Sequence, residues 1–203
     1  MRKGDIDLWA YERELKEEGK KLIAGVDEAG RGPLAGPVCA AACVLPFGLE
    51  IDGLNDSKKL SEKQRERLYG IITEKAKAWA VGFASPEEID EVNILNATYL
   101  AMNRAVEALG LEPDISIVDG NRSEGLRFSN ITVVGGDGKS ASVAAASIIA
   151  KVTRDRLMLS LAEKYPQYAF EKHKGYPTAL HYERLREFGP CEIHRKTFLK
   201  KMH

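Results

Sequence analysis

The 203-residue sequence lacks any long apolar run, and no window approaches the roughly 20 apolar residues that a membrane-spanning helix needs. The N-terminal segment is charged throughout and has no apolar core, so we expect no signal peptide. Cysteine is scarce: Cys39, Cys43 and Cys191 cannot all pair, and they show no Cys-x-x-Cys spacing. We therefore expect free, buried thiols in a reducing cytoplasm.

The sequence also lacks a net charge, with 30 basic and 30 acidic residues, which argues weakly against a nucleic-acid partner. The distribution is uneven, however. Between Lys172 and His203, eight Lys or Arg residues stand against three Glu, and between Asp56 and Lys77 seven stand against four acids. Such stretches are typical either of solvated helix faces or of surfaces that contact phosphates, and charge alone does not decide between them.

Apolar residues make up 44% of the chain, enough for a core, and their pattern alternates between strands and helices. Strands are predicted at residues 22–26, 37–46, 79–84, 115–118 and 131–134. Helices are predicted at 7–18, from Ser61, from Ser85, and at 97–109, 140–164 and 181–188. Two adjacent strands followed by alternation predict an α/β fold with a mixed sheet flanked by helices, and the last third predicts a helical cap.

Acidic residues follow the predicted strands at three places. Asp27 and Glu28 come after the first strand, Asp119 after the fourth, and Asp137 shortly after the fifth. Ligand sites in α/β sheets gather at the carboxyl ends of strands, where clustered carboxylates repel each other unless a cation is bound. Mg²⁺ prefers oxygen ligands, and two such ions about 4 Å apart can clamp the attacking and leaving oxygens of a phosphoryl transfer. Helix caps and turn acids are the alternative.

Asp27 and Glu28 are neighbours, and neighbouring residues of a strand point to opposite faces. Either the strand ends at Asp27, or only one of the two is a direct ligand and the other arrives by a bend. The glycines at 30 and 32 make a bend easy. The turn from Gly30 to Pro37 also brings backbone N–H groups and the Arg31 guanidinium within reach of a phosphate or sugar, although a simple tight turn is the alternative.

A second glycine segment, Gly138-Lys139-Ser140, resembles the end of a Walker A loop because it lies between a predicted strand and a predicted helix. That motif needs a glycine at position 133, which is Val133, and Asp137 would place a negative charge near the phosphates. A P-loop ATPase is therefore a minor alternative, which ATP binding would reveal.

Taken together, these segments resemble type 2 ribonuclease H (ribonuclease HII), in the form of a bacterial-like single chain. The first block is Ala24-Gly-Val-Asp-Glu-Ala-Gly-Arg-Gly-Pro-Leu-Ala-Gly-Pro-Val38. The later blocks are Asn55-Asp-Ser-Lys-Lys-Leu60, Val118-Asp-Gly120, Gly136-Asp-Gly-Lys-Ser140, the run from Val143 to Asp155, His173-Lys-Gly-Tyr-Pro-Thr178, and His194-Arg195. The blocks come in the family's order and span about residues 21–198, nearly the whole chain.

The resemblance implies a ribonuclease H-like fold and cleavage of the RNA strand of RNA–DNA hybrids. It also implies incision 5′ of single ribonucleotides embedded in duplex DNA, and hence a role in ribonucleotide removal and DNA maintenance. The cofactor would be Mg²⁺ or Mn²⁺, in a two-metal-ion hydrolysis that leaves 3′-hydroxyl and 5′-phosphate ends. Both the catalytic and the metal-binding roles would fall on Asp27, Glu28, Asp119 and Asp137.

The resemblance assigns recognition of the ribose to Gly30, Arg31 and Gly32, because a glycine backbone can approach the 2′-hydroxyl that distinguishes RNA from DNA. It assigns Tyr176 to the neighbouring deoxyribose, whose missing hydroxyl the ring would sense by shape. A surface aromatic beside Pro177 is the alternative interpretation of this tyrosine.

Phosphate contacts, which position a nucleic acid without specifying its sequence, are expected from Lys58, Lys59, Lys172 and Lys174. His173 could act as an acid or contact a phosphate, and the phosphate contact is expected. Asp155 is expected to be structural, with a neighbouring arginine as its candidate partner, and the small residues at 141–150 to let a helix pack closely on the sheet.

We expect an N-terminal helical extension at 1–20 packed on the domain, a ribonuclease H-like catalytic domain at 21–165, and a C-terminal helical cap at 166–203 that contributes to substrate binding. The protein is expected to act as a cytoplasmic monomer without membrane contact. The alternative from another class is a non-catalytic hybrid-binding module, which needs a basic surface but not four acids. EDTA would stop the enzyme and spare the binder.

Overall fold

The computed structural model describes residues 7–54 and 60–200, which fold around a five-stranded sheet. The strands are β1 Ile23–Ala29, β2 Val38–Val44, β3 Ala78–Ala84, β4 Ile115–Asp119 and β5 Asn130–Val133. Their order is β3-β2-β1-β4-β5, with β2 antiparallel to β1 and β3, and β4 parallel to β1 and β5. The predicted mixed sheet is confirmed, and the carboxyl ends of β1, β4 and β5 meet at one edge.

Helices cover both faces of this sheet. They are α1 Ala10–Glu17, α2 Glu62–Lys75, α3 Pro86–Glu107, α4 Ala141–Lys164, α5 Phe170–His173, α6 Ala179–Phe188 and α7 Lys196–Leu199. Alternate residues of β1 and β2, such as Val26 and Ala40, pack with α3, whereas Ala41 and Cys43 pack with α4 and α2. The core therefore consists of two apolar layers, one on each side of the sheet.

Both long helices approach the sheet closely because the strands carry glycines at the contacts. A Cβ atom at Gly25 would lie 2.0 Å from the carbonyl carbon of Ser142 in α4, and one at Gly82 would lie 2.2 Å from the carbonyl oxygen of Ala101 in α3. Only a residue without a side chain fits at either position. The expectation that the small residues at 141–150 allow close packing is confirmed.

The predicted helix starts at Ser61 and Ser85 are confirmed as capping boxes, with Gln64 and Glu88 as the reciprocal partners. The sequence predicts one helix that starts at Ser85 and another at 97–109, whereas α3 runs through both. Its one irregular residue is Asn93, at φ 69°, whose side-chain oxygen accepts from the N–H groups of residues 95 and 96. This backbone conformation, with ψ 167°, is one that glycine adopts far more easily than asparagine, and the cap that the Asn93 side chain forms for the second half of the helix offsets its cost.

Helix α1 packs on the domain, as expected, and contacts the start of α4. The buried Glu12 carboxylate accepts hydrogen bonds from Ser140 Oγ at 2.7 Å and Ser142 N–H at 3.0 Å, and Ala141 N–H donates to the carbonyl of Leu8. An anion at a helix N-terminus satisfies free N–H groups and complements the helix dipole. This helix therefore caps the segment that follows Asp137.

The residues beyond α4 form the predicted helical cap around a separate apolar cluster that includes Leu34, Met158, Tyr168 and Phe170. A single β-bridge between Ala35 and His194 joins this cap to the turn after β1. Among the described residues, no helix is both long enough and apolar enough to cross a membrane.

Candidate active site

Three of the four predicted acids converge at the carboxyl edge of the sheet. Oxygen atoms of Asp27, Asp119 and Asp137 all lie within 4.8 Å of one another. Asp27 and Asp137 are buried, at 3% and 4% exposure, and Asp119 is partly exposed. Three carboxylate oxygens at this spacing form a donor set that fits a hard divalent cation.

The sheet register explains why the first two acids meet. Val26 of β1 is aligned with Val118 of the parallel strand β4, so Asp27 and Asp119 occupy equivalent positions one residue further on. Asp137 arrives differently. It lies in the 3₁₀ turn Gly136–Gly138, which follows β5 and is preceded by Gly135 at φ 67°. The N–H of Gly136 donates a hydrogen bond to Asp119 Oδ1 over 2.8 Å. The prediction that Asp137 follows a strand is correct, although a turn rather than the strand end holds it.

The electrostatics of this cluster favour a bound cation. Burial, followed by the negative charges of Glu28 and Asp119, raises the pKa of Asp27 well above its usual value. Hydrogen bonds from Ser147 Oγ and from the N–H of Glu28 oppose this shift because they stabilise the carboxylate. The ionised cluster is therefore strained by repulsion, and a divalent cation would relieve the strain.

Glu28 lies beside the cluster but outside it. Strand β1 continues to Ala29, which excludes the alternative in which the strand ends at Asp27. By the alternation of the strand, Asp27 faces α4 and Glu28 faces α3. The Glu28 carboxylate accepts a hydrogen bond from Arg31 Nη1 at 3.4 Å and lines cavities on both sides of this edge.

A cavity of about 260 Å³ is lined by Asp27, Glu28 and Asp119. Besides the predicted residues, it is lined by Arg65 of α2 and by Ser147 and Lys151 of α4, which the sequence analysis does not identify. Ser147 and Lys151 are one helical turn apart, so both face the cavity. Their signal in the sequence is a polar pair at the end of an otherwise apolar, small-residue run.

The Gly30-Arg31-Gly32 turn forms one wall of the same cavity. Gly30 has φ 98°, a conformation that favours glycine, and a Cβ there would lie 2.1 Å from Arg154 Nε. The carbonyls of Gly30 and Arg31 accept hydrogen bonds from the buried Arg195. Neither Arg154 nor Arg195 is identified as functional from the sequence, because most of their partners lie over a hundred residues away.

Tyr176 lies across the cavity from the acids, next to the turn. Its ring is 36% exposed, and a Cβ at Gly32 would lie 4.0 Å from Tyr176 Cε1. Two cations lie over the ring, Lys151 Nζ at 5.4 Å and Arg154 Cζ at 5.7 Å from the centroid. The carbonyl of Tyr176 lies 3.0 Å from His181 Nδ1. These contacts position Tyr176, and the residue remains exposed.

Of the four lysines predicted to contact phosphates, Lys172 and Lys174 are described, and neither lines this cavity. Lys172 lies in α5 and is exposed, and Lys174 follows this helix and is partly exposed. Lys58 and Lys59 lie outside the described residues. His173 differs from the expectation, because it is 7% exposed and both ring nitrogens bind backbone: Nε2 is 2.9 Å from the carbonyl of residue 168, and Nδ1 accepts from the N–H of residue 175.

Two other interpretations are also resolved by the contacts. Asp155 pairs with Lys151 at 2.8 Å, one helical turn away, rather than with an arginine. Lys139 of the Walker-like segment turns its Nζ towards the carbonyl of Val134 at 2.7 Å, and Ser140 caps α4. This segment therefore serves as a helix start, in agreement with the rejection of a P-loop.

Comparisons with known proteins agree with these features. The ribonuclease HII family profile matches residues 24–203. A ribonuclease HII from Endomicrobium trichonymphae is 55% identical over 193 residues, which cover 95% of this chain and 92% of that protein. The ribonuclease H2 structure from Pyrococcus horikoshii aligns with a TM-score of 0.71 at 32% identity, over 87% of this chain and 93% of that one.

A chain in the structure of the PCNA:RNase HII complex from Archaeoglobus fulgidus has a TM-score of 0.70 at 30% identity, over 87% of this chain and 94% of that chain. Sequence and fold comparisons therefore agree along nearly the whole length, and the mixed sheet flanked by helices has the predicted ribonuclease H-like architecture. The chain belongs to the ribonuclease HII family and is a ribonuclease H, an enzyme that acts on RNA–DNA hybrids.

Proposed function

We propose that this ribonuclease H cleaves the RNA strand of hybrids and also incises 5′ of single ribonucleotides embedded in duplex DNA. The observation that carries the proposal is the cavity in which Asp27 and Asp119, two of the three convergent carboxylates, and the Gly30-Arg31-Gly32 turn face the same space. A site that places metal-binding carboxylates beside a turn that recognises one sugar can act on an isolated ribose. The cell would use this activity to remove ribonucleotides and maintain its DNA.

Asp27, Asp119 and Asp137 would hold Mg²⁺ or Mn²⁺, with Glu28 at the edge of the site. When bound, two such ions supply electrostatic stabilisation at the attacking and leaving oxygens of the phosphodiester, which gives 3′-hydroxyl and 5′-phosphate ends. The chain contributes the geometry. Ser147 orients the Asp27 carboxylate, and the N–H of Gly136 orients that of Asp119.

The turn would read the sugar beside the scissile phosphate. Gly32 leaves space next to the Tyr176 ring, so the backbone of the turn can approach a 2′-hydroxyl without a side chain in between. Arg31 is exposed at the rim of the cavity, where its guanidinium can bind a phosphate oxygen.

Tyr176 would pack on the next sugar, a deoxyribose at a junction between RNA and DNA. Tyr176 is exposed, and the cations of Lys151 and Arg154 lie over its ring. A ring packed on a sugar tolerates hydrogen at the 2′ position better than a hydroxyl, which supports recognition of the junction by shape.

Phosphates on either side of the cleaved bond would be bound by Lys58, Lys59, Lys172 and Lys174. Lys151 and Arg65 are additional candidates, because both line the cavity that contains the acids. These contacts would position the duplex and carry no sequence preference.

The functional unit would be a cytoplasmic monomer with an N-terminal extension at 1–20, a catalytic domain at 21–165 and a helical cap at 166–203. One chain supplies the acids, the turn and the tyrosine, which supports a monomer. The free thiols of Cys39, Cys43 and Cys191 support a reducing compartment.

Chelation separates the proposed enzyme from a hybrid-binding module. A labelled RNA–DNA hybrid is incubated with the protein and Mg²⁺, with and without EDTA, while binding is followed by fluorescence anisotropy. We expect EDTA to stop cleavage and to leave most of the binding. Binding without cleavage in saturating Mg²⁺ and in saturating Mn²⁺ would contradict the proposal.

A further inference from the structure

Arg195 is a fully buried cation that binds the turn through four hydrogen bonds. Its Nη2 donates to the carbonyls of Gly30 at 2.6 Å and Gly36 at 2.8 Å, Nε donates to Gly36 at 2.9 Å, and Nη1 donates to Arg31 at 2.9 Å. No carboxylate forms a salt bridge with it in the part of the chain that the structure describes. A buried charge without a counter-ion is unfavourable, so the carbonyls of the turn must compensate for it.

These bonds fix the direction of two peptide groups. Because each peptide bond is planar and trans, its N–H points opposite to its carbonyl. The carbonyls of Gly30 and Arg31 point at Arg195, so the N–H groups of Arg31 and Gly32 point away from it. Residues 30–32 line the cavity and Arg195 does not, which places these N–H groups on the cavity side of the turn.

Arg154 connects this turn to the segment that carries Tyr176. It is also fully buried and donates to the carbonyls of Ala35 at 3.2 Å, Pro37 at 3.0 Å and Lys174 at 3.0 Å. A direct backbone bond from residue 34 to the carbonyl of residue 175, at 2.8 Å, joins the same two segments. Arg154 therefore sets the distance between the turn and the tyrosine ring.

We infer that Arg195 is a positioning residue for ribose recognition, which directs the N–H groups of Arg31 and Gly32 towards the 2′-oxygen without touching the substrate. This inference rests on the proposed function of the turn. Two donors held in one direction bind an acceptor oxygen well, and both are left without a partner when the sugar is a deoxyribose. Such unpaired groups are a strong source of discrimination between substrates that differ by one hydroxyl.

The test compares a duplex that carries one embedded ribonucleotide with the same duplex carrying a 2′-fluoro nucleotide, which keeps the ring but accepts hydrogen bonds poorly. The variant is Arg195→Lys, which keeps the charge but cannot reach three carbonyls at once. We expect the wild-type protein to prefer the ribonucleotide. We expect the variant to lose about a hundredfold in kcat/KM on the ribonucleotide, as misplaced binding groups do, and less on the 2′-fluoro duplex.

The ratio of the two rates is the readout that a merely structural role would leave unchanged. Leu109→Ala serves as the control, because Leu109 is buried at the end of α3 that leads to the amino end of β4, opposite to Asp119. It should lower thermal stability and keep the ratio. If the lysine variant does not fold, Arg195→Gln, which removes the buried charge, replaces it.

Equal losses on both duplexes in the Arg195 variant, with the ratio intact, would overturn the inference while leaving the proposed function in place. A wild-type protein that cuts neither duplex, although it cleaves a uniform RNA–DNA hybrid, would instead remove the proposed function on which the inference rests.

Discussion

The carboxylate of Asp119 accepts a hydrogen bond from the backbone N–H of Gly136, over 2.8 Å, across a separation of 17 residues. One acid of the cluster thereby holds the turn that presents the next, Asp137. The contact uses a single oxygen, Oδ1, which an asparagine also provides. Substitutions at this position therefore differ in their effect on geometry, according to whether they keep that acceptor.

Asp27→Asn and Asp119→Asn should each lower the rate of cleavage by about a thousandfold or more, because each removes a charged ligand from the centre of the metal site. Folding and hybrid binding should remain close to those of the wild type, because both amides keep the shape of the side chain. Single-turnover cleavage and anisotropy measure the two properties. Substantial residual cleavage in either variant would contradict the assigned roles.

In the metal-free protein, protonation of Asp27 should stabilise the folded state as the pH falls through the raised pKa of this group. Because the pKa of Asp27 is raised in the folded state, the folded protein binds this proton at a pH where the unfolded chain does not. The contribution of Asp27 to the free energy of unfolding then rises as the pH falls from the raised pKa to the usual value of about 3.9, by about 1.4 kcal/mol for each unit of the shift. His181 and His194, whose pKa values burial lowers to about 4, contribute in the opposite direction. Urea unfolding in EDTA at several pH values, compared between the wild type and Asp27→Asn, isolates the contribution of Asp27.

Glu12→Ala should lower the free energy of unfolding by about 1–3 kcal/mol, because Ser140 Oγ and the N–H of Ser142 would lose a buried acceptor. Glu14→Ala on the exposed side of the same helix is the control and should change it by less than about 0.5 kcal/mol. Urea unfolding compares the two variants. Equal effects would show that α1 does not act through this cap.

Two glycines should respond in opposite directions to the same substitution. Gly25→Ala places a Cβ 2.0 Å from the backbone of Ser142, so α4 must move away from the sheet, at a cost of about 1–3 kcal/mol or more. Gly70→Ala lies inside α2 with open space around it and should stabilise the protein by about 0.5–1 kcal/mol. Thermal and urea unfolding test both, and a tolerated Gly25→Ala would contradict the close packing described here.

The sequence predicts the sheet, the helix starts and the acids well, because these depend on local patterns. The alternation of β1 shows that Asp27 and Glu28 face opposite ways, but only the packing of α4 on one face determines which of them joins the cluster. The irregular residue Asn93 shows the same limit. The sequence predicts two helices in this region, whereas the structure has one helix, α3, with a local break.

Arg195 is the residue whose environment differs most from the one that local sequence patterns predict. It lies in a basic stretch that predicts a solvated or phosphate-binding surface, yet it is fully buried and binds a turn 159 to 165 residues away. Charged side chains are almost never buried unless they are paired, and here the partners are backbone carbonyls, which leave no pattern in the sequence. Contacts of this kind are visible only in the folded chain.

The most direct test of the proposed function is cleavage of a DNA duplex with one embedded ribonucleotide, end-labelled and incubated with Mg²⁺ or with EDTA. The account predicts one cut on the 5′ side of the ribonucleotide in Mg²⁺, with a 3′-hydroxyl and a 5′-phosphate, and no cut in EDTA. A cut on the 3′ side, a 2′,3′-cyclic phosphate end, or cleavage that continues in EDTA would contradict it.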